Sequence, residues 1–313
     1  MSEMIATRDA YGKTLVELGR ENTRIVALDA DLSGSTKTAQ FAKEFPERFF
    51  NAGIAEANMV GMAAGLAAGG MIPFASTFAV FAAGRAFEQI RQSVAYAKLN
   101  VKIVATHGGI TVGEDGGSHQ SVEDLAIMRA LPHMTVLCPA DGPETEAAIR
   151  AVAKYDGPVY VRLGRSKVPV IFENGCDFTI GKGHVLRDGT DLTFITTGLM
   201  TAQALEAAAI LAEGGIQARV LHLGSIKPFD ADLVVKAARE TGAVVTAEEH
   251  SVIGGLGGAV CETLCESHPV PVERVGLRDE FGQSGTAEEL LAHYGLTPAH
   301  LVEAAQRVLQ KKA

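Results

Sequence analysis

The sequence predicts an α/β protein with two domains: a parallel sheet with helices on both faces, followed by a smaller α/β domain. Two observations support this prediction. Short β-branched runs that end at polar or glycine residues alternate with helical stretches, which is typical of parallel sheets covered by helices. The chain also has 313 residues, more than one hydrophobic core comfortably contains.

The elements follow in order from local composition. In the first part of the chain, β-branched runs predict strands over 24–28, 101–105, 134–137 and 158–163, with helices over 87–99 and 144–154. A second series predicts a strand over 192–197, a helix over 201–212, a strand over 218–223, a helix over 230–240, a strand over 243–247 and a helix after the glycines at 254–258. Strand and helix alternate in both series, so both domains are predicted to be built on parallel strands.

The domain boundary is predicted from a change in composition. Polar and glycine residues gather at 172–177, and the second α/β series begins at Leu192. We therefore expect a first domain over 1–172, a linker over 173–190 and a C-terminal domain over 191–313.

Charge and cysteine content exclude several classes of function. A net charge of −9 argues against a nucleic-acid surface, which needs a basic face to neutralise phosphates. The four cysteines fit no zinc spacing, and Cys261 and Cys265, which share a helix face, are expected to be buried thiols of a reducing compartment. The first residues carry no secretion signal, so a cytoplasmic protein is expected.

A single carboxyl stands before a long uncharged segment. Between Glu56 and Arg85 there is no Asp, Glu, Lys or Arg. Burial disfavours the charged form of a carboxyl, so Glu56 is predicted to hold a proton near neutral pH and to donate a hydrogen bond to a base, not to form a surface ion pair. The alternative is a carboxylate that only complements the dipole at the start of a helix.

The uncharged segment also predicts local structure. A buried helix is expected over 55–68, followed by a turn and a buried segment from Met71, because glycines and a proline interrupt a run that would otherwise suggest a membrane span. Gly61, Gly65 and Gly69 recur every four residues, which flattens one face of the helix. We expect that face to form an internal or subunit interface.

Another glycine cluster, at 254–258, lies before the last helix of the second series. It lacks the third glycine of the dinucleotide-binding fingerprint, where Val260 stands, and no strand leads into it with the required spacing. A tight turn with close backbone packing is the preferred interpretation, and a nucleotide site is the weaker one.

The loop 106–120 is the second candidate for chemistry. It contains two histidines and two carboxylates, which are His107, His119, Glu114 and Asp115. The loop follows a predicted strand, and ligands bind beyond the carboxyl ends of strands in open parallel sheets. These groups suit proton transfer on a hydroxylated substrate; a metal site and a simple solvated loop are the alternatives.

Four segments resemble the transketolase family of thiamine-diphosphate enzymes. They are Phe-Asn-Ala-Gly-Ile-Ala-Glu at 50–56, the loop at 107–119, Leu-Pro-His-Met at 131–134 and Pro-Ala-Asp-Gly at 139–142. The similarity covers essentially the whole chain and is to the C-terminal half of a full transketolase, which comprises a pyrimidine-binding domain and a small C-terminal domain. The chain departs from the family loop at Gly108 and Gly109, where Asp-Ser is common.

The resemblance implies how a thiamine-diphosphate cofactor would be bound. Glu56 corresponds to the glutamate that hydrogen-bonds a ring nitrogen of the aminopyrimidine and favours its imino form, which then removes the thiazolium proton. Phe78 and Phe81 correspond to aromatic residues that line the pyrimidine pocket, although core packing is also an ordinary role for them. Leu32 is a further expected cofactor contact.

The resemblance to transketolases also implies a substrate site. His107 and His119 correspond to histidines that bind substrate hydroxyls and assist proton transfer, and Asp115 to the aspartate that contacts the hydroxyl beside the reacting carbonyl. A sugar-phosphate clamp is expected from the guanidinium groups of Arg8 and Arg165 and the hydroxyl of Ser35. Two guanidinium forks and a hydroxyl suit a phosphate dianion.

One family motif has no counterpart in the chain. The Gly-Asp-Gly…Asn segment that binds Mg²⁺ and the cofactor diphosphate is absent, so no metal ligand is expected here. The resemblance then implies the C-terminal subunit of a split transketolase, present as a homodimer within a heterotetramer whose N-terminal subunit supplies those ligands. The alternatives are a deoxyxylulose-phosphate-synthase-like subunit, which His107 argues against, and a non-catalytic assembly module, which would be expected to lose Glu56.

Overall fold

The computed structural model describes residues 3–312. The strands are β1 (Met4–Ala6), β2 (Ile25–Asp29), β3 (Phe49–Asn51), β4 (Ile72–Phe78), β5 (Lys102–Thr106), β6 (Thr135–Leu137), β7 (Val159–Arg162), β8 (Lys167–Pro169), β9 (His184–Arg187), β10 (Leu192–Thr196), β11 (Ala218–His222), β12 (Ser225–Lys227), β13 (Val244–Ser251) and β14 (Val272–Leu277). They form two larger sheets and one two-stranded ribbon of β1 and β8.

The helices alternate with these strands. They are α1 (Thr7–Glu21), α2 (Ser33–Thr36), α3 (Ala39–Glu44), α4 (Glu56–Ala68), α5 (Ala79–Arg85), α6 (Phe87–Gln89), α7 (Asp124–Ala130), α8 (Gly142–Lys154), α9 (Met200–Glu213), α10 (Ala231–Thr241), α11 (Leu256–Ser267), α12 (Ala287–His293) and α13 (Pro298–Leu309). The helix predicted over 87–99 is shorter than expected, because α6 passes into a π-helical segment that ends at Ala95.

The first sheet is parallel and covered on both faces, as predicted. Its order is β12-β6-β7-β5-β4-β2-β3, and every pair is parallel except β12 with β6. Alternate residues of β2 enter different apolar clusters: Val26 and Leu28 lie in one, and Ile25 and Ala27 lie in the other. Because side chains alternate across a strand, this division means that helices bury both faces of the sheet.

The second sheet has the order β14-β13-β10-β11-β9 and is parallel except at its β9 edge. The two halves of the chain share hydrogen bonds, because β12 comes from the second half and pairs with β6 of the first sheet. The C-terminal domain is therefore joined to the first sheet by backbone pairing as well as by side chains.

Two cysteines differ from the prediction. Cys265 is exposed and Cys261 is only partly buried, so the expectation of buried thiols is wrong for this pair. On α11 the buried residues include Val260 and Leu264, and the two cysteines each follow one of these by one position. A step of one residue rotates the side chain about 100° away from the core.

The two glycine clusters have different surroundings. Gly61 and Gly65 are exposed, and a Cβ on either would meet no atom within 4 Å, so this face of α4 is open in the single chain. None of the helices described has both the length and the apolar character to cross a membrane.

The glycines before α11 are required by close packing. A Cβ on Gly255 would lie 2.0 Å from an oxygen of Glu248, and Glu248 itself accepts hydrogen bonds from the backbone N–H groups of Leu256 (2.7 Å) and Gly257 (2.8 Å). The protein's own carboxylate thus occupies the anion-binding start of the helix. The tight-turn interpretation is confirmed, and no room remains there for a nucleotide phosphate.

Candidate active site

The residues singled out in the first domain gather beyond the carboxyl ends of adjacent strands. Ser35 lies after β2, Phe78 ends β4, His107 follows β5 and Arg165 lies after β7, and these four strands are neighbours in the order β7-β5-β4-β2. Parallel strands bring such segments to one edge of a sheet, which is where open α/β sheets bind their ligands.

Glu56 begins α4 and is buried, with 4% of its surface exposed. Its burial is confirmed, but the prediction that it would form no ion pair is wrong: Nη1 of Arg85 donates to Oε1 at 2.8 Å. Arg85 is the last residue of α5, and α5 packs on α4. This packing brings Arg85 into contact with Glu56, although the two are far apart in the sequence. Among residues 3–312, no hydrogen bond reaches Oε2 of Glu56.

Aromatic rings connect the Glu56 region to the histidines. The guanidinium carbon of Arg85 lies 4.1 Å from the ring centre of Phe81. The Phe81 and Phe78 rings are nearly parallel, 5.7 Å apart and inclined by 10°, and His107 stacks on Phe78 at 3.7 Å. His119 meets the Phe81 ring edge-on at 5.4 Å. The rings form a continuous apolar and aromatic wall.

His107 is held at both ring nitrogens. Nη1 of Arg8 lies 3.2 Å from Nε2, and Oγ1 of Thr106 lies 2.9 Å from Nδ1. Since a guanidinium can only donate, Nε2 is the acceptor and Nδ1 carries the proton. Burial, followed by the charges of Arg8 and Arg165, lowers the pKa of His107 to about 3. With both nitrogens engaged, His107 is not arranged as a metal ligand.

The lowered pKa of His107 makes stability depend on pH. In the unfolded chain the pKa of this histidine is near its ordinary value of 6.5. Below that pH the unfolded chain therefore binds a proton that the folded chain does not bind. Stability is therefore lost as pH falls from about 6.5 towards 3. Between pH 7 and pH 5, we expect His107 to account for a loss of about 1–2 kcal/mol in unfolding free energy.

Urea unfolding at both pH values would measure this loss in the natural chain, in His107→Asn and in His119→Asn as a matched control. The loss should shrink by the stated amount in His107→Asn and persist in His119→Asn. An equal loss in all three proteins would contradict the assignment to His107.

Positive charge gathers beside His107. Burial lowers the pKa of Arg8; the charge of Asp9 opposes this effect and the charge of Arg165 adds to it. Arg8 also donates from Nη1 to the backbone carbonyl of Ser35 at 3.0 Å, so in this structure Ser35 meets Arg8 through its main chain. Leu32, half-buried, precedes α2 just ahead of Ser35. Two guanidinium groups that repel each other favour an anion between them.

Arg165 also holds the loop that bears the carboxylates. Its Nη1 donates to the carbonyl of Val112, and the same nitrogen lies 3.5 Å from Glu114 and 3.6 Å from Asp115. Both carboxylates are exposed, whereas residues 110–113 are buried. The solvated-loop interpretation is therefore wrong for the first half of the loop and correct only at its tip.

The glycines that depart from the family pattern are explained by packing. A Cβ on Gly108 would lie 2.3 Å from Nε of Arg162, and a Cβ on Gly109, which has φ of 84°, would lie 2.1 Å from the carboxyl carbon of Glu249. Both neighbours are buried. The loop thus passes too close to these side chains to carry any side chain of its own.

Sequence reasoning missed the residues that brace this loop. Oε1 of Glu249, at the end of β13, accepts from the backbone N–H of Thr111 at 2.6 Å, and burial raises the pKa of Glu249. Arg162 donates to the Glu249 carbonyl at 2.8 Å and lies 3.3 Å from Asp124. Charged residues directly after the apolar run at 243–247 were the available signal. The C-terminal domain therefore positions the catalytic candidates of the first.

Gln120 braces the other end of the loop. Its buried side-chain nitrogen lies within hydrogen-bond distance of the carbonyls of Ile110, Gly113 and Gln283, at 3.1, 3.3 and 2.9 Å. Nearby, Nδ1 of His119 lies 3.0 Å from the hydroxyl of Ser118. No hydrogen bond occupies Nε2 of His119 within the described chain, which leaves that nitrogen available to a ligand.

Two family models match the chain. The model for the transketolase pyrimidine-binding domain matches residues 3–170, and the model for the transketolase C-terminal domain matches residues 181–301. Together they cover most of the sequence.

Individual relatives match over nearly their whole length. A subunit of 6-deoxy-6-sulfo-D-fructose transketolase from Clostridium sp. is 48% identical, over 97% of this chain and 95% of its own. One of the subunits of apulose-4-phosphate transketolase from Phocaeicola vulgatus is 43% identical, over 99% of both chains. A solved structure described as a split gene transketolase, inactive beta4 tetramer, superposes with a TM-score of 0.93 at 60% identity, covering 99% of this chain and 100% of the other.

Proposed function

The chain belongs to the transketolase family, and from this premise we propose that it is the C-terminal subunit of a split transketolase. The subunit would act with an N-terminal partner to transfer a two-carbon ketol unit between ketose and aldose phosphates. One observation carries the proposal: a buried carboxyl, a wall of aromatic rings, two histidines and two close guanidinium groups converge beyond the ends of neighbouring strands. The relatives described as transketolase subunits, matched almost end to end, support it.

The residues present fit the pyrimidine end of thiamine diphosphate. Glu56 is buried and has one oxygen bound to Arg85, and its other oxygen is available to a ring nitrogen. Phe78 and Phe81 offer flat apolar faces beside it, and Leu32 is proposed as a further contact. When bound, the cofactor would supply the carbon nucleophile that attacks the ketose carbonyl. The role proposed for Glu56 is to share a proton with the pyrimidine nitrogen through that other oxygen, while Arg85 stays paired with the first.

The histidines are proposed to act on the sugar. His107 is neutral, fixed in one tautomer by Arg8 and Thr106, and stacked on Phe78. It would accept a substrate hydroxyl at Nε2 in exchange for its contact with Arg8, without rotating. His119, with Nε2 available, would accept or return a proton at a second hydroxyl. Asp115, exposed near Arg165, would contact the hydroxyl beside the reacting carbonyl.

The guanidinium groups of Arg8 and Arg165 are proposed to bind the sugar phosphate, with Ser35 beside them. Each side chain is held by a carbonyl of a neighbouring loop, that of Ser35 for Arg8 and that of Val112 for Arg165. Both arginines are therefore pre-positioned, which reduces the entropy lost when a phosphate binds. The repulsion between them would be relieved by a dianion.

The proposed clamp predicts a loss of affinity that is selective for phosphorylated sugars. In the reconstituted complex, Arg165→Ala and Arg8→Ala should raise KM for phosphorylated sugars much more than for hydroxypyruvate, which has no phosphate. A lost charge-assisted contact costs about 1.5–3 kcal/mol, or roughly a 10- to 150-fold change in KM. Steady-state kinetics with both donors would measure it.

The matched control for the clamp is Arg20→Ala, since Arg20 is exposed on α1 and pairs with Glu44. The control should change neither KM. Equal impairment with both donors would show that Arg8 and Arg165 do not bind the phosphate. If the unmodified complex transferred no ketol unit from any sugar phosphate, the proposed function would be rejected.

The assembly is proposed from the same premise. The N-terminal subunit would supply the Mg²⁺ and diphosphate ligands, and two copies of this chain would associate within a heterotetramer. The open glycine face of α4, around Gly61 and Gly65, is the proposed contact. A related chain described as a beta4 tetramer supports self-association of this kind of chain. A cytoplasmic location and the domain limits 1–172 and 191–313 are part of the same proposal; β9 (His184–Arg187), inside the linker 173–190, adds an edge strand to the second sheet.

A further inference from the structure

Three side chains of metal-binding type that have no role in the proposed sugar site meet where the linker between the domains passes α8. They are Glu144 on α8, Cys176 in the linker and His184 at the start of β9. Their ligand atoms all lie within 4.8 Å of one another. We propose that Glu144, Cys176 and His184 bind a zinc-class divalent cation.

The spacing of the two partly buried ligands suits tetrahedral coordination. Sγ of Cys176 lies 3.7 Å from Nε2 of His184. Zinc–sulfur and zinc–nitrogen bonds of about 2.3 and 2.0–2.1 Å place such ligand atoms about 3.5 Å apart in a tetrahedron. The sulfur and nitrogen therefore need to move only slightly to accept the ion.

The third ligand, Glu144, is held in place by neighbouring groups. Nε2 of His222 lies 2.9 and 2.8 Å from the two oxygens of Glu144, and the backbone N–H of Ala140 donates to Oε2 at 2.6 Å. His222 is in turn fixed through Nδ1, which lies 2.8 Å from the hydroxyl of Thr201. Carboxylates and imidazoles that bind metals are typically held by such outer hydrogen bonds.

Both partly buried ligands would bind in the forms that a metal requires. The thiol proton of Cys176 would leave to solvent as the sulfur–metal bond forms, and His184 would bind through a neutral imidazole nitrogen.

The donor set selects the type of ion. One thiolate, one imidazole and one carboxylate suit zinc, whereas Mg²⁺ and Ca²⁺ take oxygen ligands. Cys176 and His184 are partly exposed, so the ion can enter from solvent, and a water can fill the fourth position. The bound ion would tie three segments together: a helix of the first domain, the linker, and the edge strand of the second sheet.

The test is metal binding by the full chain, purified without a histidine tag. After removal of metal with a chelator and incubation with zinc, one Zn²⁺ per chain should remain after desalting by elemental analysis. Co²⁺ should give the near-ultraviolet absorption of a thiolate–metal bond. At free zinc about 100-fold above Kd, the folding equilibrium constant should rise about 100-fold.

Cys176→Ser and His184→Gln should each weaken zinc binding by about 100-fold, at least as much as the loss of a group that orients a ligand. Cys176→Ser should also remove the near-ultraviolet band of the Co²⁺ form. Cys265→Ser, at an exposed cysteine, is the matched control and should keep both properties. Circular dichroism of each metal-free variant checks that the fold is retained.

Substoichiometric zinc in the natural chain would overturn the proposal. So would equal zinc affinity in Cys176→Ser and Cys265→Ser. A Co²⁺ form without thiolate absorption would overturn it as well, because Cys176 would then not be a ligand.

Discussion

Glu56→Gln should abolish ketol transfer by the reconstituted complex while leaving the fold and the assembly intact. The amide keeps the size of the side chain but cannot hold an acidic proton against the pyrimidine nitrogen. Removing a positioned acid–base partner costs about 10²–10⁴-fold in rate, and the loss should appear in kcat. The decisive measurement is a coupled sugar-phosphate assay, with size-exclusion chromatography to verify assembly.

The matched control is Glu47→Gln, since Glu47 is an exposed carboxyl that neighbours Arg48. Its activity should equal that of the natural complex. Arg85→Gln separates a role of the Glu56 carboxyl itself from a role of its ion pair, because it removes the ion pair at 2.8 Å and keeps the carboxyl. Near-normal turnover by Glu56→Gln would refute the assignment of Glu56 as the cofactor's proton partner.

The second large effect concerns the chain by itself. Isolated protein should bind thiamine diphosphate weakly and show no ketol transfer, because the diphosphate carries most of the cofactor's charge and its ligands are proposed to lie on the N-terminal subunit. Addition of that subunit with Mg²⁺ should restore tight binding and activity together. Calorimetry and the coupled assay, with each subunit alone and with both mixed, would measure the change.

Subunit mixing has a useful internal control. The Glu56→Gln chain should still assemble with the partner, so loss of activity in that mixture separates failed chemistry from failed assembly. We also expect the isolated chain to form at least a dimer through the Gly61 and Gly65 face, which sedimentation can measure. Strong ketol transfer by this polypeptide alone would show that the split-enzyme proposal is wrong.

The sequence predicted the fold well because its signals are local. The alternation of strands and helices and the glycines before α11 each depend on neighbouring residues, and the corresponding elements are present. The burial of Glu56 was predictable for the same reason, since the next charged residue is far along the chain. The helix over 87–99 was predicted less well, since periodicity did not indicate its change to π-helical turns over Ile90–Ala95.

Contacts between residues far apart in the chain could not be predicted from the sequence. Arg85 returns to Glu56 across 29 positions, Glu249 reaches Thr111 across 138, and His222 reaches Glu144 across 78. Periodicity says which face of an element is buried but not which partner covers it. Only the packing of the helices and of the two sheets decides those pairs.

The sequence by itself determined the α/β class, the resemblance to transketolases, and the residue types gathered for chemistry at Glu56 and in the loop 106–120. Tertiary structure decided the state of those residues: His107 is neutral and fixed by Arg8, Glu56 has an ion-pair partner, and the loop rests on Glu249. The physical reason is that protonation and orientation depend on burial and on nearby charges. Both arise only when strands and helices far apart in the chain come together.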